Sequence, residues 1–338
     1  MSGVELTSLE QNATFICGHP KSGTSLLRGM LDSHPQLIVF PEETKFFRRV
    51  LPAAVTHAID ERPRVVGERI LQVLAWREGS LSPGQAGFRD RDYSHIDHKS
   101  ALEAYRRRSV AWQGEPSRLL VAAILAYGEA TGRLAQAKRW VEKSPYNERY
   151  ATRIFEWWPQ ARCLHVVRDP RDNYASYLRK HPDWTPETFA HSWRQSALLG
   201  WKNHRRFGAE RYRIVRYEDL ILRTEEAIAE LVRFLEIEDS PALRTPTRAG
   251  LAWTGNSMFG EAFDGISHSP LGRHAKALPQ ADNLEIEKQL EPEMMRLGYS
   301  LTRPLTRTER LAGRVGRARW VWRRFRTAGR SRTASGGK

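Results

Sequence analysis

Short apolar runs alternate with longer segments of helical periodicity along this chain. Three runs, at 14–18, 162–168 and 212–215, are nearly continuous in apolar residues and predict buried β-strands. Apolar positions spaced by three and four, together with Ser-Pro and Asp-Pro starts, predict helices at 24–33, 117–130, after Ser144-Pro145, after Asp169-Pro170, at 186–206 and at 224–236. This alternation predicts an α/β fold, a single P-loop-like doubly wound domain with a mainly parallel central sheet flanked by helices.

The chain is strongly basic, but the excess charge is concentrated at one end. The net charge is +15, and residues 303–338 hold twelve Lys or Arg against Glu309 alone, which leaves about +4 for the rest. If this tail is helical, one face is apolar, comprising Leu311, Val315, Ala318, Trp322 and Phe325. A basic amphipathic helix that binds an anionic membrane surface or a protein partner is then expected, with a disordered solvated tail as the equal alternative. Nucleic-acid binding is disfavoured because the body offers no recognition element.

The composition also bears on location and redox state. No run of 18 apolar residues occurs, and the N-terminus lacks a charged segment followed by an apolar one. Cys17 and Cys163 lie within apolar strands, which predicts reduced core residues rather than a disulfide or a metal site. A cytoplasmic protein is expected, and the basic tail leaves peripheral attachment to a membrane open.

The turn after the first predicted strand has the composition of a phosphate-binding loop. The stretch FICGHPKSGTS at 15–25 changes from an apolar run into glycine, proline and hydroxyl residues with one lysine. Backbone N–H groups of residues 22–25 and the N-terminus of the next helix would attract an anion at this edge of the sheet. The candidate ligands of that anion are Lys21, Ser22, Gly23, Thr24 and Ser25.

This turn departs from the Walker A loop at one position. Gly18 and Gly23 match the spacing of GxxxxGK[ST], but Thr24 stands where that motif has its lysine. Lys21 lies on the near side of the loop, where it would neutralise charge on a leaving oxygen without a metal. A P-loop kinase or NTPase is the more remote alternative, because it would need the lysine at position 24.

The segment PKSGTS resembles the 5′-phosphosulfate loop of sulfotransferases that use 3′-phosphoadenosine-5′-phosphosulfate (PAPS). In VVRDPRDNYASYL, Arg168 and Ser176 have the spacing of the family's 3′-phosphate pair. A guanidinium at a strand end and a hydroxyl on the next helix can converge on one phosphate. The resemblance implies PAPS as co-substrate, no metal, and an O-sulfotransferase that acts on a hydroxyl.

The longer segment SGTSLLRGMLDSHPQLIVFPEETKFF resembles the start of the tyrosylprotein sulfotransferases, and its EETKFF end also resembles Golgi glycan O-sulfotransferases. The match implies that Glu43 is the catalytic base, although Glu42 is adjacent and both acids would also suit the first turn of a helix. The stretch beginning EKSPYNERY similarly implies that Lys143 assists Lys21 in stabilising the transition state.

Further similarities are weaker. RYEDLI at 216–221 resembles a family segment and makes Tyr217 a nucleotide contact or a packing residue. The stretch NSMFGEAFDGISHSPLGRHAK occupies the position of a loop that closes over the nucleotide, which makes Ser257, Arg273 and Lys276 candidates.

Two departures from the tyrosylprotein enzymes affect the expected acceptor. Those enzymes have arginine at the position of Lys21, and because no apolar run of 18 residues occurs, no N-terminal membrane anchor is expected here. A hydroxyl of a carbohydrate, glycolipid or small molecule is therefore the preferred acceptor, with protein tyrosine as the alternative. The predicted organisation is a sulfotransferase domain at 10–302, with 50–139 as an acceptor-side helical insertion, and the tail at 303–338. The less regular stretches at 50–116 and 240–281 are expected to supply lids and loops.

Two other groups of residues are weaker candidates for a functional site. DRDYSHIDH at 90–98 clusters acids and histidines, but without a third ligand at a set spacing it is expected to be solvated loop. Trp157 and Trp158 offer stacking surfaces, with core packing expected for at least one of them.

Overall fold

The structure is a computed structural model that describes residues 7–82, 85, 87–112 and 114–318. A five-stranded sheet of order β2-β3-β1-β4-β5, with every neighbouring pair parallel, forms its centre. The strands are β1 Ala13–Gly18, β2 Leu37–Val39, β3 Arg139–Lys143, β4 Arg162–Val167 and β5 Tyr212–Arg216. A short antiparallel pair, β6 Thr247–Arg248 and β7 Leu251–Ala252, lies outside this sheet. The predicted α/β fold class is confirmed.

Helices follow the strands and cover the sheet. Those in the first half are α1 Ser8–Gln11, α2 Thr24–Asp32, α3 Leu51–Ala54, α4 Arg62–Leu71, α5 His98–Val110 and α6 Pro116–Ala130. Those in the second half are α7 Ala151–Trp157, α8 Pro170–Leu178, α9 Pro186–Phe207, α10 Tyr217–Leu222, α11 Thr224–Leu235, α12 His274–Ala277, α13 Gln280–Arg296 and a final helix α14 at 307–318. A π-helical turn, Phe46–Val50, leads into α3, and short 3₁₀ turns occur at Gln72–Ala75, Asn147–Tyr150 and Pro241–Arg244.

Both faces of the sheet are buried, which explains the continuous apolar strands. Side chains alternate along a strand, so Phe15 and Cys17 of β1 enter one core cluster while Ile16 enters the other. The first cluster also contains apolar residues of α4, α5 and α6, and the second those of α2 and α11. The helical part of 50–139 therefore shares a core with β1, while the predicted domain boundaries stay predictions.

One predicted helix start is wrong. Ser144-Pro145 does not begin a helix, because Ser144 Oγ donates to Glu142 Oε1 at 2.6 Å and Tyr146 has a left-handed φ of 71°. The α-helical stretch begins only at Ala151. In contrast, Asp169 caps α8 as expected, since its side chain accepts from Arg171 N.

The beginning of the basic tail is a helix docked on α13. Pro292 within α13 has no N–H for the carbonyl of Lys288, and Arg317 Nη1 donates to that oxygen at 3.3 Å and to Gln289 O at 2.8 Å. Gly313 allows the close approach, because a Cβ there would lie 2.1 Å from Lys288 O. Trp322 and Phe325 of the predicted apolar face lie outside the described residues. No helix in the described ranges has the length and hydrophobicity needed to cross a membrane.

Candidate active site

The turn between β1 and α2 is a strained loop closed by a tyrosine. Lys21 has a left-handed φ of 67° and Gly23 a φ of 100°. A Cβ on Gly23 would lie 2.1 Å from the ring of Tyr217, so glycine is required by both backbone and space. Tyr217 thus packs on the loop and also lines the adjoining cavity.

Lys21 is directed into a cavity of about 960 Å³ beside the loop. Its Nζ donates to Met258 Sδ at 2.9 Å, a weak acceptor that leaves the ammonium without a carboxylate partner within 4 Å among the described residues. Burial, with the nearby charges of Lys180 and Lys143, lowers the pKa of Lys21 to about 8.

Arg168 links the end of β4 to the loop. Its Nη1 donates to Ser176 Oγ at 3.3 Å and to the carbonyl of Lys21 at 3.4 Å, and its Nη2 donates to Pro270 O at 2.7 Å. The guanidinium lies over the ring of Tyr217, 4.6 Å from its centroid. Arg168 and Ser176 therefore face the same cavity as the first loop, as their spacing predicts.

Glu43 and Lys143 form an ion pair on the opposite side of the loop. Lys143 Nζ donates to Glu43 Oε1 at 2.9 Å, and Lys45 Nζ lies 3.8 Å from Glu43 Oε2. Burial acts to raise the pKa of Glu43, but the charge and hydrogen bond of Lys143 and the charge of Lys45 outweigh it and lower the pKa to about 2. Glu43 is thus a carboxylate with an exposed edge in the cavity.

Glu42 has a different environment. It is buried, forms an ion pair with Arg91 and accepts from Tyr93 Oη at 2.6 Å. Burial acts to raise its pKa, but the charges of Arg91 and Arg28 lower it. Both contacts are to Oε1 of Glu42, and the side chain of Glu42 is 8% exposed, against 28% for that of Glu43.

The cavity brings together most of the predicted site residues. Its lining includes Lys21, Gly23, Thr24, Ser25, Glu43, Lys143, Arg168, Ser176, Tyr217, Ser257 and Arg273. Ser22 differs from expectation, because its N–H donates to His19 O at 3.2 Å within the turn and its Oγ is buried without a partner among the described residues. The backbone donors available to an anion therefore begin after residue 22.

The late loop contributes side chains that are already paired. Ser257 Oγ donates to Glu261 Oε2 at 3.2 Å, and Arg273 forms an ion pair with the same carboxylate. The guanidinium of Arg273 also lies 4.4 Å from the ring centroid of Phe259. Lys276 is exposed and is absent from the cavity lining.

Several residues behind the loop or in the cavity wall carried no recognisable signal in the sequence. His19 is buried among aromatic rings, with Nδ1 2.9 Å from Asn173 Oδ1 and Nε2 3.2 Å from Ser192 Oγ. Arg28 and Arg248 join Arg91 in the wall beside Glu42. Of these three arginines, only Arg28 could be placed near the site from the sequence, because it follows the loop on the same helix. Arg91 and Arg248 come from distant segments.

The remaining sequence candidates have structural roles. In the 90–98 segment, Asp97 caps α5 and His95 Nε2 lies 3.0 Å from Ala249 O. Trp158 is fully buried and Trp157 stacks on Phe47, so both pack in the core and neither lines the cavity.

Among the described residues, one group has the spacing of metal ligands: Cys17, Glu148 and His165, all buried behind the loop. Hydrogen bonds engage these side chains. Tyr212 Oη lies 2.8 Å from His165 Nδ1 and 3.5 Å from Cys17 Sγ, and Glu148 accepts from Gly18 N at 3.1 Å. Cys17 and Cys163 are both free and buried, as predicted.

The sequence of this chain is similar to a family model and to several characterised proteins. Residues 13–241 match the model of the Sulfotransferase family. A protein-tyrosine sulfotransferase of Drosophila melanogaster is 26% identical over 238 residues, which are 68% of this chain and 38% of that protein. Protein-tyrosine sulfotransferase 2 of Gallus gallus is 23% identical over 288 residues, 82% of this chain and 62% of the relative. The chain thus spans less than two thirds of the length of these relatives.

Two solved structures share the fold. The sulfotransferase domain of the Synechococcus PCC 7002 olefin synthase has a TM-score of 0.54 at 22% identity, covering 86% of this chain and 96% of that domain. The sulfotransferase domain from the curacin biosynthetic pathway has a TM-score of 0.51 at 19% identity, covering 86% of this chain and 98% of that domain.

Proposed function

The chain belongs to the sulfotransferase family, and we propose that it transfers the sulfuryl group of PAPS to a hydroxyl of an acceptor. The observation that carries this proposal is the convergence of two strand ends on one cavity. Arg168 Nη1 lies within 3.4 Å of both the carbonyl of Lys21 and Ser176 Oγ. One doubly phosphorylated adenosine would then have its 3′-phosphate at Arg168 and Ser176 and its 5′-phosphosulfate at the loop.

The unpartnered groups around the loop suit such a ligand. Arg168 Nε is buried and has no partner among the described residues, and Lys21 has only the sulfur of Met258 as hydrogen-bond acceptor. A strained loop held by Tyr217 presents the N-terminus of α2, which favours an anion. Thr24 in place of the Walker lysine supports a sulfotransferase over a P-loop kinase.

The proposed chemistry is an in-line displacement at sulfur. The acceptor oxygen forms the new S–O bond, Glu43 takes its proton, and the bond between sulfur and the bridging oxygen of the 5′-phosphate breaks. Lys21, assisted by Lys143, stabilises the negative charge on the departing oxygen. The products are a sulfate ester and adenosine 3′,5′-bisphosphate.

The acceptor belongs to the proposal as well. A carbohydrate, glycolipid or small-molecule hydroxyl is our first candidate, and the similarity to protein-tyrosine sulfotransferases supports protein tyrosine as the second. The cytoplasmic location and a membrane or protein partner for the basic tail stay predictions. Leu311 and Val315, exposed on the docked helix, support a surface contact there.

Calorimetric titration with adenosine 3′,5′-bisphosphate tests the nucleotide site. We expect 1:1 binding with a higher affinity than that of ATP with Mg²⁺. The Arg168→Ala variant should bind adenosine 3′,5′-bisphosphate about ten-fold or more weakly, because charge-assisted hydrogen bonds to the ligand are lost. Arg64→Ala, which removes an exposed guanidinium on α4, is the control and should bind normally. Tighter binding of ATP with Mg²⁺, or equal affinity in Arg168→Ala, would contradict the proposal.

A further inference from the structure

Three arginine side chains meet in the cavity wall beside Glu42. Arg28 of α2 is only 3% exposed, and the side chains of Arg91 and Arg248 are 11% and 13% exposed. Arg28 and Arg248 lie 5.9 and 5.8 Å from the ring centroid of Trp253, which also lines the cavity. We call Arg28, Arg91 and Arg248 the arginine cluster.

The arginine cluster has less negative charge around it than its burial requires. Among the described residues, Glu42 is the buried carboxylate paired with it, through Arg91. Asp90 lies 4.0 Å from Arg91 Nε and 3.9 Å from Arg248 Nη1, but its side chain is 70% exposed and therefore screened. The Nε atoms of all three arginines are buried without a hydrogen-bond partner in the described ranges.

A second buried acid, on α2, reduces the excess of positive charge but does not cancel it, because two buried carboxylates lie near three guanidinium groups. Asp32, one turn after Arg28, directs one carboxylate oxygen to Thr247 Oγ1 and Gly250 N, each at 2.8 Å. Burial and the two neighbouring arginines lower the pKa of Arg248 to about 10, so it is still charged at neutral pH. Buried like charges without compensation are unfavourable, and they are typical of sites that bind an ion of opposite sign.

The location of the arginine cluster indicates which substrate would supply that ion. In the sheet order, β2 and β4 lie on opposite sides of β1, and Glu42 follows β2 while Arg168 follows β4. The cluster is therefore centred on the neighbour of the proposed base Glu43, on the other side of the loop from the 3′-phosphate pair. An acceptor hydroxyl at Glu43 would have the rest of its molecule within reach of these arginines.

We propose that the arginine cluster binds an anionic group of the acceptor, a carboxylate, phosphate ester or sulfate ester close to the hydroxyl that is sulfated. This inference rests on the proposed function, since it assigns a substrate class to the same cavity. Guanidinium groups bind such oxyanions through paired hydrogen bonds. Phe88, 4.4 Å from the guanidinium of Arg91 and stacked on Trp76, adds an apolar wall for the remainder of the acceptor.

Binding of inorganic phosphate to the nucleotide-loaded protein is the first test. With adenosine 3′,5′-bisphosphate saturating, wild type should bind one phosphate by calorimetry. Arg248→Gln should lower the affinity for phosphate by about ten-fold or more. Arg248→Lys should lower it by less, because lysine keeps the charge but cannot form the paired hydrogen bonds of a guanidinium. Arg64→Gln is the matched control and should not differ from wild type. Unchanged affinity for the nucleotide in each variant shows that the fold is intact.

The outcomes separate this inference from the proposed function. No binding of adenosine 3′,5′-bisphosphate overturns the proposed function, and the inference with it. If the nucleotide binds but inorganic phosphate does not, the inference alone is overturned. The same holds if Arg248→Gln binds inorganic phosphate as tightly as wild type does. Weaker nucleotide binding in Arg248→Gln would assign the arginines to the nucleotide and also overturn it.

Matched acceptors then identify the source of the anion. The pairs are glucose and glucose 6-phosphate, octyl glucoside and phosphatidylinositol, and N-acetyltyrosinamide and the peptide Glu-Tyr-Glu. In whichever pair is sulfated, the anionic member should have at least a ten-fold higher kcat/KM, and Arg248→Gln should abolish that preference mainly through KM. Equal turnover of the neutral member, or a preference unchanged in Arg248→Gln, would contradict the proposal.

Discussion

At the scale of single residues, two adjacent glutamates have opposite surroundings. Glu42 is enclosed by Arg91 and Tyr93, whereas Glu43 keeps an open edge beside Lys143. We predict that Glu43→Gln lowers kcat about 100-fold or more, the usual effect of losing a general base, and also lowers the melting temperature, because the buried ammonium of Lys143 loses its carboxylate partner. Glu42→Gln should instead lower the stability by about 3 kcal/mol, because it leaves buried arginines unpaired.

Steady-state kinetics and thermal unfolding of both variants check this division. If Glu42→Gln loses turnover while remaining fully stable, the base is Glu42 and the assignment is reversed. Normal turnover in Glu43→Gln would move the base away from this segment altogether.

The ammonium of Lys21 makes the reaction sensitive to alkali. Its pKa is lowered to about 8, chiefly by burial, and only the charged form stabilises a departing oxyanion. We therefore predict that kcat/KM falls as the pH rises through about 8. Lys21→Arg should keep activity above that pH, because a guanidinium does not lose its proton there. A pH profile with the same alkaline limb in both proteins would assign the limb to another group.

The sequence predicts the residues proposed to bind phosphate better than the rest of the site. Lys21 and Arg168 are found together because each follows a strand end that its apolar run reveals, and Ser176 lies on α8, the helix that follows the same strand as Arg168. Arg91 and Arg248 are not predictable in this way, since their proximity depends on the path of 50–139 and of the late loop. Local sequence carries no information about such long-range contacts.

At the scale of elements, the apolar runs predict β1, β4 and β5 but not β2 or β3, whose sequence patterns are atypical of buried strands. β3, with sequence RWVEK, contains three charged residues that are all buried. Glu142 is tolerated because Thr44, Ser144 and Asn147 donate to its carboxylate. β2 has only three residues, too short to show periodicity. The hydrogen bonds that stabilise the buried charge in β3 come from other segments, so the sequence of the strand itself does not reveal them.

The docking of α14 on α13 depends on glycine. Gly313 lies against the carbonyl of Lys288, which Pro292 leaves without its helical donor. We predict that Gly313→Leu separates α14 from α13 and speeds trypsin cleavage after Arg310 and Arg314 by about ten-fold or more, because proteolysis follows local opening. Ala312→Leu, exposed on the same helix, is the control and should be cleaved like wild type. Equal cleavage of both variants would show that the contact does not hold α14.

At the scale of the whole molecule, the two halves of the chain meet at the loop. His19 in the first half contacts Asn173 of α8 and Ser192 of α9, and Glu148 accepts from Gly18 N. These contacts fix the loop relative to α9 and to α8, the helix that carries Ser176. The geometry of the proposed nucleotide site is thus a property of the assembled fold and not of the PKSGTS segment alone.

The buried His19 should make this assembly sensitive to acid. Burial lowers its pKa from 6.5 to about 4, so below pH 6.5 the unfolded chain binds a proton that the folded one does not. Stability is then lost as the pH falls from about 6.5 to 4, by about 3 kcal/mol from this group. His19→Gln, which cannot titrate, should show a flatter dependence of unfolding free energy on pH, measured with urea at several pH values. The exposed His268→Gln is the control and should follow wild type. Other buried groups titrate in all three proteins, so the difference in slope isolates His19, and parallel slopes would show that its ring is protonated in the folded state.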